Sequence, residues 1–371
     1  MPINARKGRS VRLIMRYLII SNNGGMLVIY RGALIRELLK NASVTACVPH
    51  GGEDELKKLG CDIVYADVDR RGINPRNDLK LYKRYKKIIK EVNPDAVITY
   101  SIKPNIYGGY ACRKLGIPYY LHVQGLGSAF YRKGLKAVVS VMYRAAAKKA
   151  KAVFFENEGN RDLFVNKKII GKDQAVVFSG AGVDLDAFSL TPMPEGDGVK
   201  FAFVSRIMKE KGVDELFYAA KKLKSEFGDR FDLSIAGIFE DSYEQVVNEL
   251  HEKGIINYLG FVNDVASLYR SCDAVVLPSY HEGMSNVLLE GAAIGRVLVT
   301  TDVYGCREAV VSEESGLICP VRDGEALYSA MKRICLMSKG ERETMGKRGR
   351  AHVEKNFDRN EVVRKTIEVI K

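Results

Sequence analysis

The chain has 371 residues, 46% of them hydrophobic and 28% charged, which suits two globular domains of about 150 residues, each with a buried core. Its seven cysteines (Cys47, Cys61, Cys112, Cys272, Cys306, Cys319 and Cys335) show no C-x-x-C or C-x-x-H spacing, which excludes a disulfide framework and a cysteine metal site and points to reduced, cytosolic thiols. No stretch approaches the ~20 apolar residues of a membrane-spanning helix, and the formal net charge of +13 is uneven: residues 1–180 carry 33 Lys and Arg against 14 Asp and Glu, the remainder 25 against 31.

So cationic a half-chain should face nucleic acid, an acidic membrane surface or a phosphate-bearing acceptor. The aromatic-interleaved or helix-turn-helix patterns of nucleic-acid binders are absent, so no nucleic acid is expected. Residues 1–14 form a basic extension, and the apolar run behind it is broken by Arg16, which argues against a secretory signal. From Met15 short β-branched runs alternate with amphipathic helical stretches, the pattern of a parallel sheet covered on both faces.

Tyr17–Ser21 reads as the first strand. A loop, Asn22 to Gly25, and a helix from about Leu27 to Lys40 follow. Gly24 and Gly25 therefore precede a helix N-terminus, which either meets an anion or is an ordinary tight turn. Further strands fit Val44–Val48, Asp62–Ala66, Ala96–Tyr100, Pro118–Val123, Ala152–Glu156 and Ala175–Ser179. Between them lies a helix with Leu81, Tyr85, Ile88, Ile89 and Val92 at core spacing and lysines or Arg84 elsewhere. A second helix, roughly Arg132 to Lys151, puts Leu135, Val138, Val139, Met142, Tyr143 and Ala146 on one face. It also carries Arg132, Lys133, Lys136, Arg144, Lys148, Lys149 and Lys151 with no acid among them. Such a helix suits docking on anionic lipid.

Residues 183–198, rich in Gly, Pro and acids, read as a linker. Strands of a second domain fit Lys200–Ser205, Asp232–Ala236, Ile256–Leu259, Ala274–Leu277, Val297–Thr300 and Leu317–Cys319. Pro278 to Ala292 then forms a glycine-bearing loop and a helix start, with Gly295 closing the helix. Backbone N–H groups at such a start attract a diphosphate, Gly283 would let the backbone come close to it, and Ser285 or Asn286 can cap the helix. Glu282 and Glu290, separated by seven residues, can accept hydrogen bonds from sugar hydroxyls. A βα turn with two surface glutamates has the same spacing.

Glu282, seven residues and Glu290, with Gly283 and Gly295, resemble the E-x7-E signature of retaining glycosyltransferases of the GT-B fold, the glycogen-synthase-like and mannosyltransferase-like family. Phe203-Val204-Ser205-Arg206 with Lys211-Gly212 resembles that family's phosphate grip. Arg70 to Pro75, Lys103 to Gly108 and Gln124 to Phe130 resemble the branch that extends polyprenyl-diphosphate-linked sugars in bacterial polysaccharide and glycan assembly. The resemblance runs from Met15 onward. It implies an α/β protein of two Rossmann-like doubly wound domains facing a central cleft, residues 15–182 and 199–355, with 356–371 a helix returning to the first.

On the resemblance, the second domain binds a UDP-sugar. Arg206 and Lys211 neutralise its diphosphate, Glu282 supports the donor sugar, and Glu290 holds the ribose. Gly283, Met284, Ser285, Asn286 and Val287 present main-chain amides, Phe261 and Val262 lie near the base, and Gly24 and Gly25 contribute from the first domain. Arg71, Asn74, Lys103, Asn105, Gln124, Gly125 and Gly127 fall on the acceptor side, a polyprenyl-diphosphate-linked sugar; His122 either orients a ligand or is a satisfied core histidine. Gln124 departs from the commoner Thr-Gly-Leu-Gly form, which leaves acceptor and donor identity open. No Asp-x-Asp or histidine cluster suits a metal. The expected activity is metal-independent, retaining transfer of a hexose or N-acetylhexosamine, without a cofactor beyond the UDP-sugar, by a peripheral enzyme on the cytosolic face of the membrane. The alternative, an isomerase like UDP-N-acetylglucosamine 2-epimerase, leaves Gly125-Leu126-Gly127 unexplained.

Overall fold

The β-branched and aromatic runs become strands of two parallel sheets in a computed structural model that describes residues 14–69, 72, 74–127, 130 and 134–371. Arg71, the extension through residue 13, and Arg132 and Lys133 of the second basic helix lie outside the described residues. The first sheet holds β1 (Met15–Ile20), β2 (Ala42–Val48), β3 (Asp62–Tyr65), β4 (Ala96–Tyr100), β5 (Tyr119–Val123), β6 (Ala152–Phe155) and β7 (Ala175–Val177) in the order β3-β2-β1-β4-β5-β6-β7. The second holds β8 (Val199–Val204), β9 (Phe231–Ala236), β10 (Asn257–Gly260), β11 (Ala274–Leu277), β12 (Val297–Thr301) and β13 (Gly316–Cys319) in the order β10-β9-β8-β11-β12-β13. Each order reverses once, beside β1 and beside β8, which is the doubly wound arrangement. Every residue of β4, β5, β11 and β12 is buried, as covering both faces requires.

By contact the chain forms two compact units, one of Met1–His122, Val138–Val153 and Ile370, the other of Val123–Ala137, Phe154–Val369 and Lys371. The first unit contains α1 (Gly24–Leu39), α2 (Asp54–Leu59), α3 (Pro75–Val92), α4 (Gly109–Leu115) and most of α5 (Leu135–Ala147). Helix α1 starts three residues before the expected Leu27, because the Asn23 side chain accepts from Met26 N at 3.0 Å and makes the two glycines its first turn. Right-handed crossovers place α1 and α2, which lead leftward to β2 and β3, on one face of the sheet, and α3, α4 and α5, which lead rightward, on the other.

Helix α5 corrects one expectation. Val139, Ser140, Tyr143, Ala146 and Ala147 form its buried face, whereas Val138, assigned above to the core stripe, is 55% exposed. Tyr143 and the carbonyl of Ala146 fix that rotation, since Asn105 Nδ2 lies 3.4 Å from the Tyr143 hydroxyl and Tyr119 donates to Ala146 O at 2.5 Å.

The second unit contains α6 (Glu158–Asn166), α7 (Val213–Phe227), α8 (Glu244–Glu252), α9 (Val265–Arg270), α10 (Asn286–Ile294), α11 (Gly324–Leu336), α12 (Lys339–Asn356) and nearly all of α13 (Arg359–Ile370). Residues 183–198 form almost no regular structure, yet they pack on this unit. Val183 N donates to Phe357 O at 2.8 Å and Thr191 N to Ile294 O at 3.1 Å. Arg296, fully buried, reaches four groups: Tyr269 O and Pro192 O, each at 2.9 Å, Met193 Sδ at 3.3 Å, and the Thr191 hydroxyl. A guanidinium so enclosed stands or falls with those acceptors. Arg296→Leu should therefore lower stability by about 3 kcal/mol in chemical denaturation and open residues 187–197 to limited proteolysis; an unchanged midpoint and digestion pattern would refute the stapling role.

Candidate active site

Open parallel sheets present ligand-binding loops at the carboxyl ends of the strands where the order reverses. In the second unit those ends belong to β8 and β11. After β8 the chain passes Arg206 and makes a tight turn, Lys209–Lys211; after β11 it enters Pro278 to Ser285. The two loops touch through their backbones. Tyr280 N donates to Glu210 O at 2.9 Å, and Gly212, in the left-handed region at φ +72°, could carry no side chain, because a Cβ there would stand 2.1 Å from Pro278 O.

That approach delivers the Lys211 ammonium to the Glu282 carboxylate, an ion pair whose side chains are only 15% and 14% exposed. Ser279 Oγ donates to the same oxygen, Glu282 Oε1, at 2.8 Å. Burial alone would raise the Glu282 pKa, but the Lys211 charge and the hydrogen bonds from Lys211 and Ser279 outweigh it and hold the group below its ordinary value. Glu282 is thus ionised at neutral pH.

Glu290 differs. It sits on α10 with the Tyr269 hydroxyl 3.4 Å from its Oε2, and burial pushes its pKa up to about 7, offset in part by Tyr269 and Arg359. The two expected hydroxyl-binding acids therefore carry different charge near pH 7. Ser285 proves to be the cap of α10, its Oγ accepting from Leu288 N at 3.3 Å, while Met284 is buried and Val287 half-buried. Asn286 Oδ1 is buried without a hydrogen-bond partner among the described residues.

Gly283 also has a neighbour in the protein that keeps it small. A Cβ there would lie 1.5 Å from Gln124 O, so the residue is glycine because the Gln124–Gly127 loop rests on it. Gly125 comes near too, since its Cβ would be 3.8 Å from Gly283 N, and Gly127 turns the loop at φ +65°. The expected donor loop and glycine-rich acceptor loop are in direct contact. Asn157, which the sequence did not single out, joins this junction: its Nδ2 donates to Gly283 O at 2.5 Å and lies 3.3 Å from Glu282 O. The pattern around it, a strand followed by Asn157 and then Asn160, signals a helix cap but not that second role.

Arg206 pairs with Glu240 at 3.1 Å and is 46% exposed. Phe261 is 71% exposed and Val262 half-buried. In the first unit Gly24 is buried against the Gly51–Gly52 turn, a Cβ on it falling 3.1 Å from Gly52 O, and Gly25 is half-buried. Asn74 caps α3, accepting from Arg76 N at 3.0 Å. Lys103 is tied to Asp78 at 2.7 Å, and both line a cavity of about 320 Å³ with Asp67, Asp69, Lys80 and Arg84.

Asn105, which the resemblance assigns to the acceptor side, turns inward. It is fully buried, accepts from Thr99 Oγ1 at 2.6 Å and donates to His122 O at 2.9 Å, so its amide supports the fold and does not face an acceptor. His122 is buried with its Nε2 3.1 Å from Arg31 Nη2. A guanidinium can only donate, so that nitrogen is the acceptor and the ring proton sits on Nδ1. The cysteines are free, and burial pushes the thiols of Cys47, Cys272, Cys319 and Cys335 up to about 12, which makes them inert at neutral pH. Among the described residues no group of three His, Cys, Asp or Glu could hold a metal ion.

Residues 193–352 match the family described as Glycosyl transferases group 1, and residues 18–157 match Glycosyl transferase 4-like. The chain is 28% identical over 335 residues to the N,N'-diacetylbacillosaminyl-diphospho-undecaprenol alpha-1,3-N-acetylgalactosaminyltransferase of Campylobacter jejuni, covering 84% of this chain and 87% of that protein. It is 25% identical over 284 residues to the UDP-Gal:alpha-D-GlcNAc-diphosphoundecaprenol alpha-1,3-galactosyltransferase of Escherichia coli, covering 71% and 72%. Its fold matches the crystal structure of Anabaena HepE in complex with UDP and glucose with a TM-score of 0.80 at 16% identity, over 96% of this chain and 99% of that one.

Burial of Glu290 makes stability depend on pH. A carboxyl whose pKa rises from 4.5 to about 7 on folding takes up a proton in that window, so its cost is absent below pH 4.5, grows between the two values and is complete above pH 7. Glu290→Gln, neutral throughout, should be more stable than the parent by on the order of 2 kcal/mol at pH 8 and no more stable at pH 4.5. Thermal unfolding at the two pH values decides this, and an equal effect at both would contradict it.

Proposed function

Because the chain belongs to the glycosyl transferases group 1 family, we infer that it moves a hexose or N-acetylhexosamine from a UDP-sugar onto a polyprenyl-diphosphate-linked saccharide, in the assembly of a polysaccharide or glycan. The observation that carries the reading is the Lys211–Glu282–Ser279 cluster where the second sheet reverses its strand order. The names of the Campylobacter jejuni and Escherichia coli relatives support the acceptor class.

As the sugar bond breaks, the leaving diphosphate gains negative charge while the sugar gains positive charge. Lys211 and Arg206 supply cations for the first, and a cation already in place lowers the barrier more than it tightens substrate binding. Glu282, held ionised, faces the second and accepts from donor-sugar hydroxyls. Glu290 accepts from ribose hydroxyls. The transfer retains anomeric configuration, the acceptor entering on the face the diphosphate leaves, with a phosphate oxygen taking its proton. Lys103 belongs to the acceptor side, where the cavity it lines with Asp78 offers both carboxylates and cations to a sugar or a diphosphate.

The enzyme works on an anionic membrane surface, at the cytosolic face. Helices α3, α4 and α5 share one face of the first sheet and carry exposed Lys83, Lys87, Lys90, Lys114 and Arg144, with Lys148 just beyond α5, against only Asp78 and Glu91 as acids, the latter 3.6 Å from Lys87. Val138 and Val141 stand outward beside them, 55% and 60% exposed. On the opposite face Lys40, Lys57 and Lys58 are each paired with an acid of their own helix. Among the described residues no helix is long and apolar enough to cross a membrane.

Glu282→Gln should lower kcat on the active UDP-sugar by about a hundredfold or more. Arg206→Ala should lower it comparably while shifting stability by less than 1 kcal/mol, since its pair with Glu240 is exposed. The assay screens UDP-glucose, UDP-galactose, UDP-GlcNAc and UDP-GalNAc with a short polyprenyl-diphosphate sugar; full activity in both variants overturns the site. An epimer formed from UDP-sugar alone would instead identify the isomerase.

For the surface, replacing Lys83, Lys90 and Lys114 together by alanine should weaken sedimentation with phosphatidylglycerol vesicles by about a hundredfold, at ~1 kcal/mol per cation, and leave phosphatidylcholine binding unchanged. Equal binding of parent and variant to both vesicles would remove this face from the membrane.

A further inference from the structure

We propose that Asn157 is a positioning residue for sugar transfer: its amide ties the Glu282–Gly283 peptide to the first turn of α6 and thereby fixes where the Glu282 carboxylate stands. The proposal rests on the reading of Glu282 as the group that meets the donor sugar.

Asn157 is 2% exposed and lies between β6 and α6. Its Oδ1 accepts from Asn160 N at 2.8 Å, the ordinary duty of a helix cap. Its Nδ2 turns the other way, to Gly283 O at 2.5 Å and Glu282 O at 3.3 Å. One side chain therefore anchors a loop distant in sequence to a rigid helix end, and every hydrogen-bonding atom of its amide is used.

The same loop is held on its other sides. Gln124 O fills the space of the absent Gly283 side chain, Ser285 N donates to Gly305 O at 2.8 Å, and Thr301 Oγ1 donates to Ser279 O. Each of these acts on backbone, and none reaches the carbonyl that joins Glu282 to Gly283 or the one that follows it. Asn157 alone among the described residues donates to them through a side chain. Turning that peptide would swing the Glu282 side chain away from Lys211 and Ser279, which hold its carboxylate in the charged state.

Two variants separate this role from the cap. Asn157→Asp keeps an oxygen for Asn160 N but sets a second oxygen against Gly283 O. Asn157→Ser also caps a helix and is too short to reach Gly283. In both, kcat for transfer should fall at least tenfold, with KM for the UDP-sugar within twofold and the unfolding midpoint within 2 °C of the parent. Amide hydrogen exchange should quicken at residues 282–288 and stay unchanged elsewhere. An unchanged kcat in either variant overturns the proposal. So does a loss that comes with a lowered midpoint or with faster exchange across the whole second unit, since that is the behaviour of a cap alone. Should the parent transfer no sugar from any UDP donor, the functional reading fails by itself; the exchange measurement then stands alone, local quickening supporting the anchor and its absence refuting it.

Discussion

A lysine and a glutamate held almost out of water set the terms for the second unit. Lys211 and Glu282 are strongly solvated groups, and removing them from water is repaid only while each keeps the other and Ser279 keeps the shared oxygen. The fold must therefore bring two loops, separated by some seventy positions, to within hydrogen-bond reach and hold them there. A doubly wound sheet does this without special provision, because β8 and β11 are neighbours and their carboxyl ends open on the same point. What the topology leaves to local chemistry is the last few ångströms, and these are closed by missing side chains: Gly212 admits Pro278 O, Gly283 admits Gln124 O, and a Cβ on Gly305 would fall 2.4 Å from Gly283 O.

The two acids of the repeated motif illustrate how environment, not identity, decides charge. Glu282 has a cation and a hydroxyl on its oxygen and stays ionised. Glu290 has a phenol at 3.4 Å and burial, and its pKa moves the other way. The pair thus holds one carboxylate already charged at neutral pH and one that gains its charge only near neutrality.

The first unit is organised by a different asymmetry. Its cations are concentrated on one face of the sheet, where three successive crossovers lay down helices with few acids, whereas the opposite face balances lysine against glutamate or aspartate within each helix. Inside, the Asn105 amide accepts from Thr99 Oγ1 and donates to His122 O. Residues that carry a family's motif can thus serve the fold alone, and Asn105 does.

The residues in order already mark the strands, the doubly wound order of two sheets and a helix capped by Ser285 or Asn286 and closed at Gly295, and the family resemblance sets Lys211 beside Glu282. These are legible because apolar periodicity, turn glycines and caps act over a few residues, and because parallel connections have one hand. The way helix α5 faces comes from packing, since Val138 and Val139 are equivalent in the pattern and neighbouring Tyr119 and Asn105 choose between them. Packing also decided that Gly283 makes room for Gln124, that Asn105 is enclosed, and that Asn157 reaches across to the glutamate loop. Each of these depends on a contact between segments far apart in the chain, and such contacts leave no periodic trace in the residues that make them.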